Sequence, residues 1–485
     1  MDSDSKVSVS KVKRTSKPKW DSSPPHTDAT PCRSRRIKCD EGKPECNRCR
    51  TSGRVCAGYR PADSSLVLKT LAPVPIYQSP PIDVADAFPS LRSLVLHTSP
   101  DFYFHIYKYY VSKAAFPFSA STMCNWLYQQ ALDHPVLAEA VLLLGALTRT
   151  ASLFSRREGA RELNRSIRDL LALRARMVQS LQKILESPFG VRSESTIILI
   201  TIVFCVEAAR ADANAVEAHL TGLSRIIYEA GGLDSLSEPT ISLVYYCDLL
   251  RGLQSSAPPV FEVSSKWINR IESQAAASKT NLITRPSIGA RFFVSPWSQD
   301  IPPPLGTILY SLCSLISRFE DIEDSDHRSL PLENDHLVLL ANRLHSLPRE
   351  ISLTPFQDAI RLGTLCYLTV RVMRFEGNPC IENLIRTLRH NFEYSLPILY
   401  SVAPDLLFWI LFVGGIASQG FDCHIWCIEN LRNCTSQLGL RTWEDASSIL
   451  EGYFFVARLR NDPAKALWNS VSDGLVFVKQ EQPML

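Results

Sequence analysis

The 485-residue sequence contains none of the short signatures that mark common catalytic machinery. There is no phosphate-cradling G-x-x-x-x-G-K-[ST] loop, no G-x-G-x-x-G turn after a strand, no G-x-S-x-G elbow and no H-E-x-x-H pair. Nothing supports catalysis, and a protein that is not an enzyme is expected. The N-terminus lacks an apolar stretch, so no secretory leader is expected. Long apolar runs are scarce as well. The longest, around Ile197–Val206 and Leu406–Ala417, fall short of the ~20 residues that cross a bilayer. They are expected as buried helices, with no membrane partner. The proline-punctuated segment from Pro61 to Pro89, which includes APVPIYQSPPIDV, has no a/d heptads and reads as a linker rather than a coiled coil. Whether a second copy joins as a homodimer is left open.

Net charge is small but unevenly placed. Residues 1–60 hold 15 Lys and Arg against 7 Asp and Glu, whereas the remainder holds 37 against 42. A basic head on a mildly acidic body suits an arm that binds nucleic acid. Lys11, Lys13, Arg14, Lys17 and Lys19 form one basic run and Arg33–Lys38 another. They read as a nuclear import signal with extra phosphate contacts, or, for the first run, as a solvated tail.

Five of the 14 cysteines crowd into CRSRRIKCDEGKPECNRCRTSGRVC, from Cys32 to Cys56. Cys46, Cys49 and Cys56 form a C-x2-C-x6-C unit, and Cys32 and Cys39 repeat the x6 step. Short, regular steps of this kind deliver thiolates to one point, as zinc requires. A segment so small has no apolar core, so metal would supply its folding free energy, roughly 10–16 kcal/mol for a structural zinc. A disulfide knot or scattered free thiols are disfavoured, because nothing marks the chain as secreted. A full tandem repeat would place one more cysteine three residues before Cys32, where Ala29 stands. Three explanations stay open. A wrongly translated splice junction would insert WDSSPPHTDAT and delete the cysteine; His26 or Asp28 would act as substitute ligand; or the cluster no longer binds metal properly. The other nine cysteines, Cys124 to Cys434, lie mostly in apolar runs and read as reduced core residues. Cys423, His424 and Cys427 lack a fourth ligand nearby and are expected to be core as well.

From Cys32 to Tyr59 the chain resembles the fungal six-cysteine binuclear zinc cluster, the DNA-binding module of a class of fungal transcription factors. The matching pieces are C-R-x-R-R-I-K-C-D-E-G-K-P-x-C, the C-x2-C step at Cys46 and Cys49, and G-R-x-C-x-G-Y from Gly53 to Tyr59. The resemblance implies two zinc ions if a sixth ligand is supplied. Cys46 would bridge them, Cys32 and Cys39 would serve one, Cys49 and Cys56 the other, and position 29 would hold the second bridge. It also implies a helix after Cys32 in the DNA major groove, with Arg35 and Arg36 reading a CGG-type triplet. An arginine fork suits guanine because it bonds O6 and N7 together. Arg33, Lys38, Arg48, Arg50 and Arg54 would grip phosphates, and Pro44 would shape the loop between repeats. Double-stranded DNA, the transcriptional machinery and a nuclear location follow from the same resemblance. The alternative is a helical interaction or sensor regulator that has lost direct DNA binding through the incomplete cluster.

The expected fold is all-α: a small zinc cluster module, a proline-rich linker and a large helical regulatory domain. The expected boundaries are a basic, disordered tail at 1–28, the cluster at 29–60, the linker at 61–100, the helical domain at 101–475 and a flexible tail at 476–485. Within the helical body, Leu163, Ile167, Leu170, Leu171, Met177, Val178, Leu181, Ile184 and Leu185 form an amphipathic stripe. Val216, Leu220, Leu223, Ile226 and Ile227 form another, ended by Gly231-Gly232. Thr442 with Asp445 predicts a capping box, and Asp462-Pro463 a helix start. The stretches Ala218–Leu233 and Arg441–Trp468 are similar to the fungal-specific transcription factor domain, which implies an all-helical regulatory role. Gln254–Pro304, rich in Ser and Pro, reads as an insertion or long loop. Phe319–His327 is acidic and reads as a charged loop or a contact for the transcriptional machinery, and Val478–Glu481 fits the short pattern for SUMO attachment.

Overall fold

The computed structural model describes residues 50–52, 87–155, 160–187, 193–210, 212–279, 288–321, 330–373, 379–455 and 461–472. Backbone contacts divide the chain into two units, Met1–Leu66 and Val67–Leu485. In the first, Arg50 is helical and exposed and is followed by a turn at Thr51–Ser52.

The second unit is all-α: among the described residues every element is a helix or helical turn and none is a strand. In chain order its longer helices begin with α1 (Pro100–Ile106), α2 (Ala120–Asp133), α3 (Val136–Ser155), α4 (Ala160–Leu185) and α5 (Glu194–Ala209). There follow α6 (Ala213–Glu229), α7 (Glu238–Ser255), α8 (Ser265–Lys279), α9 (Pro303–Asp321) and α10 (Pro331–Glu350). The last are α11 (Pro355–Tyr367), α12 (Glu382–Val402), α13 (Pro404–Ala417), α14 (His424–Leu438), α15 (Trp443–Glu451) and α16 (Asn461–Ser472).

The boundaries follow local chemistry. Proline, whose missing N–H costs nothing in a first turn, opens α1, α10, α11 and α13. Reciprocal capping boxes join Thr354 to Gln357 at α11 and Thr442 to Asp445 at α15. After α6 the chain turns at Gly231 and Gly232, with φ of 99° and 87°, and the Gly232 N–H reaches back to the Ile227 carbonyl at 2.9 Å. A side chain is strained at such angles, so glycine is required there. Helix α16 starts at Asn461, which places Asp462 and Pro463 inside its first turn rather than at its cap.

Two helices are buried on nearly every side, as their uninterrupted apolar sequences predict, with Cys205 of the first partly exposed. Ile197–Val206 lies within α5 and Leu406–Ala417 within α13. Trp409 of α13 is fully buried, and its indole N–H donates to the Phe454 carbonyl at 2.9 Å. Helix α3 is not one of the runs singled out from the sequence, yet its window Val136–Leu153 is long and apolar enough to cross a membrane. It is built into the protein core instead. Its Glu139 is buried against Arg176 of α4 at 2.8 Å. Its Gly145 lies so close to α1 that an added Cβ would sit 2.2 Å from the Tyr103 carbonyl oxygen. Backbone cannot yield as a side-chain tip does, so we expect Gly145→Ala to cost about 3 kcal/mol or more by urea unfolding. A change under ~1 kcal/mol would show that α1 and α3 separate freely.

Two expectations need correction. Gln254–Pro304 is not a loop: it holds α8, whose Trp267 and Ile271 are buried one turn apart, and further on the buried Phe292 and Trp297. A few large apolar groups at helical spacing outweigh the Ser and Pro count around them. In the α4 stripe, Leu170, Met177 and Leu181 face inward together with Leu173, whereas Leu171 and Leu185 are exposed. Ahead of α1, Phe88 and Leu91 are buried in the same core.

Candidate metal centre and nucleic-acid-binding segment

The five thiolate candidates Cys32, Cys39, Cys46, Cys49 and Cys56 lie outside the described residues, as do Arg33, Arg35, Arg36, Lys38, Arg48 and Arg54. Arg50, directly after Cys49, is described and is exposed, as a phosphate-gripping side chain must be. The donor set is tested on its chemistry. All five candidates are sulfur, the soft donor that zinc takes at structural sites. Ala29 contributes no donor atom. The set fits zinc at five of its six positions.

The helical unit offers no competing centre. Among the described residues no group of three or more His, Cys, Asp and Glu is placed to hold a metal ion. Cys423 and Cys427 are buried, and burial pushes both thiols up, Cys427 to about 12. Such thiols stay protonated and are poor ligands. His424 pairs with the Ser418 hydroxyl at 3.0 Å, and burial pushes its pKa down. The trio is core, as expected. All nine cysteines of this unit are free, seven of them buried.

What the sequence reading missed is a set of buried carboxylates that tie distant helices together. Asp169 of α4 accepts from the His97 N–H at 2.7 Å, the Thr98 N–H at 3.0 Å and the Tyr103 hydroxyl at 2.7 Å. Burial works to raise its pKa, but the bonds from His97, Tyr103 and Thr98 outweigh it and hold the carboxyl below its ordinary value. Its contribution to stability is therefore present above the unfolded carboxylate range and is lost as pH falls through the folded value. Glu207 of α5 is fully buried between Arg174 at 2.5 Å and Arg210 at 2.6 Å. Asp335 of α10 gathers Ser242 of α7 with Trp267 and Arg270 of α8. The signal in each case is one acidic residue on an otherwise inward face, which the sequence shows without its partners.

The acidic stretch after Asp321, up to His327, and the Val478–Glu481 tail lie outside the described residues.

Comparison with known proteins bears on the N-terminal segment. Residues 30–65 match the model of the fungal Zn(2)-Cys(6) binuclear cluster domain, and the match starts directly after Ala29. That domain binds two zinc ions. Over 67 residues the chain is 39% identical to the aspercryptin biosynthesis cluster-specific transcription regulator atnN of Emericella nidulans. The shared stretch covers 14% of this chain and 10% of that protein's length. No solved structure matches the chain.

Proposed function

We propose that this chain is a zinc-dependent, sequence-specific DNA-binding transcription factor acting in the nucleus. The observation that carries the reading is the run of five thiolates between Cys32 and Cys56, interleaved with arginine and lysine and matching the binuclear cluster model. In this reading Cys46 would serve both zinc ions, Cys32 and Cys39 one of them, and Cys49 and Cys56 the other. When bound, the metal supplies the folding free energy that so small a segment lacks. Arg35 and Arg36 read a CGG-type triplet. Arg33, Lys38, Arg48, Arg50 and Arg54 neutralise phosphates. The helical unit serves as a regulatory domain of the fungal-specific type and contacts the transcriptional machinery. The relative's role in one biosynthetic gene cluster supports a pathway-specific regulator.

The test is binding of the full-length protein to CGG-containing and scrambled duplexes. Arg35→Ala or Arg36→Ala should each cost about 1–3 kcal/mol on the CGG duplex and flatten the preference for it. Arg48→Ala should weaken both duplexes alike and lower the slope of log affinity against log salt by about 1. If the base-reading variants keep the preference, that assignment is wrong.

Ala29 favours a second reading, in which the incomplete cluster has given up direct DNA contact and the helical unit acts through other proteins. Equal binding of the unmodified chain to CGG and scrambled duplexes, at saturating zinc, would select it. Sequencing the transcript across Lys11 to Cys32 separates both from a misread splice junction.

A further inference from the structure

The helical unit holds nine buried or half-buried free thiols, and one pair of them is placed to react. Cys205 lies on α5 and is partly exposed; Cys247 lies on α7 and is fully buried. The two helices pack directly against each other. The Cys247 thiol donates to the Thr201 carbonyl at 3.8 Å, one helical turn before Cys205 on the same face of α5, and Cys205 is among the groups close enough to act on it electrostatically. Both thiols are free.

We propose that Cys205 and Cys247 form a reversible disulfide between α5 and α7 when the protein meets a peroxide. Cys205 is the entry point, because it alone of the pair reaches solvent. Its sulfur attacks the peroxide, the O–O bond breaks, and one oxygen stays on sulfur as a sulfenic acid. The other oxygen leaves with the thiol proton as water or an alcohol. The Cys247 sulfur then attacks the Cys205 sulfur. An S–S bond forms, the S–O bond breaks, and the departing hydroxide takes the Cys247 proton as a second water. Two thiols are oxidised by two electrons and one peroxide is reduced.

Two comparisons within the chain sharpen the assignment. Cys366, Cys423 and Cys427 also neighbour one another, but all three are buried, so an oxidant has no entrance. Cys313 is partly exposed yet lies against Gly289 with no thiol beside it. Burial holds the Cys247 thiol well above its ordinary pKa, which keeps it from reacting first and makes its attack on the Cys205 sulfenic acid the slower step. Cys380 lies in the same neighbourhood, with Tyr246 between the helices, and is the competing partner. The bond would clamp two core helices together, giving the helical unit a covalent input independent of DNA.

The experiment uses the zinc-loaded full-length protein, treated with hydrogen peroxide, alkylated under denaturing conditions and digested with trypsin. Mass spectrometry should find Cys205 and Cys247 joined, with dithiothreitol restoring both to the alkylated pool. Cys380→Ser should keep the linked peptide. Cys247→Ser should lose it and leave Cys205 open to dimedone as a sulfenic acid. Recovery of both residues in alkylated form after peroxide overturns the proposal, and so does a peptide joining Cys205 to Cys380.

Discussion

Ala29→Cys is expected to raise bound zinc to two ions per chain and to tighten binding to CGG-containing DNA by at least tenfold. The reasoning starts from the ligand count. In the proposed scheme Cys46 is shared, so each zinc would take three thiolates from this chain and both would lack the same fourth donor. A structural zinc with four closed ligands contributes roughly 10–16 kcal/mol to the fold of its module. An ion with one position open to water holds less tightly and fixes the chain less firmly. Because the absent ligand is a bridge, one added thiol closes two sites together. The reverse change is Cys46→Ser, which takes the remaining bridge from both ions. It should drop CGG binding to the level of scrambled DNA, a loss of about 10³-fold or more, the usual gap between specific and non-specific binding. Zinc content by atomic emission and duplex titrations at fixed salt measure both changes. If Ala29→Cys and Cys46→Ser each leave zinc content and CGG affinity unchanged, the bridging scheme fails. His26→Ala and Asp28→Ala, made in the unmodified chain, identify a substitute ligand by a fall in zinc content.

How much was legible beforehand depended on how far apart the cooperating residues lie. The thiolate string is readable because all its members fall within one short segment and need no tertiary contact to be seen together. The capping box at Thr442 and the double-glycine stop after α6 are equally local, and both are present. The inward stripe Val216, Leu220, Leu223, Ile226 and Ile227 is buried throughout, because helical period alone decides it. Non-local features were invisible. Asp169 meets His97 across 72 positions, and Asp335 meets Ser242 across 93. Leu171 read as core by period but lies on the outer edge of a stripe narrower than its apolar content suggests. Helix α8 was hidden by composition, since only Trp267 and Ile271 carry its inner face. The thiol pair at Cys205 and Cys247 needed α5 and α7 in contact before it existed as a pair.

The second large effect is expected at Asp335, where packing and charge oppose each other. Its carboxylate is buried and accepts from the Ser242 hydroxyl, from the Trp267 indole N–H at 3.2 Å and from Arg270 at 2.9 Å. Burial raises its pKa to about 6 against the lowering pull of Ser242, Arg270 and Trp267. A folded value above the unfolded one means that this group's contribution is fully present below the unfolded pKa. It is lost as pH rises through about 6. Above about 6 the ionised form costs the folded state on the order of 3 kcal/mol. Truncation and neutralisation should therefore separate. Asp335→Ala strands the buried indole N–H and opens a cavity between α7, α8 and α10, at a cost of about 3 kcal/mol at neutral pH. That is the low end for breaking a buried pair, because Arg270 keeps Glu238 beside it. Asp335→Asn keeps one oxygen to accept from Trp267 and Arg270 and can donate its N–H to the Ser242 hydroxyl while removing the buried charge, so it should stay within about 1 kcal/mol of the parent at pH 4 and be the more stable of the two at neutral pH. Urea titrations from pH 4 to 7 should then show the parent losing stability relative to Asp335→Asn as pH rises. Parallel curves for the two proteins would mean that Arg270 fully compensates the carboxylate, and the charge would then hold α8 in place at no cost.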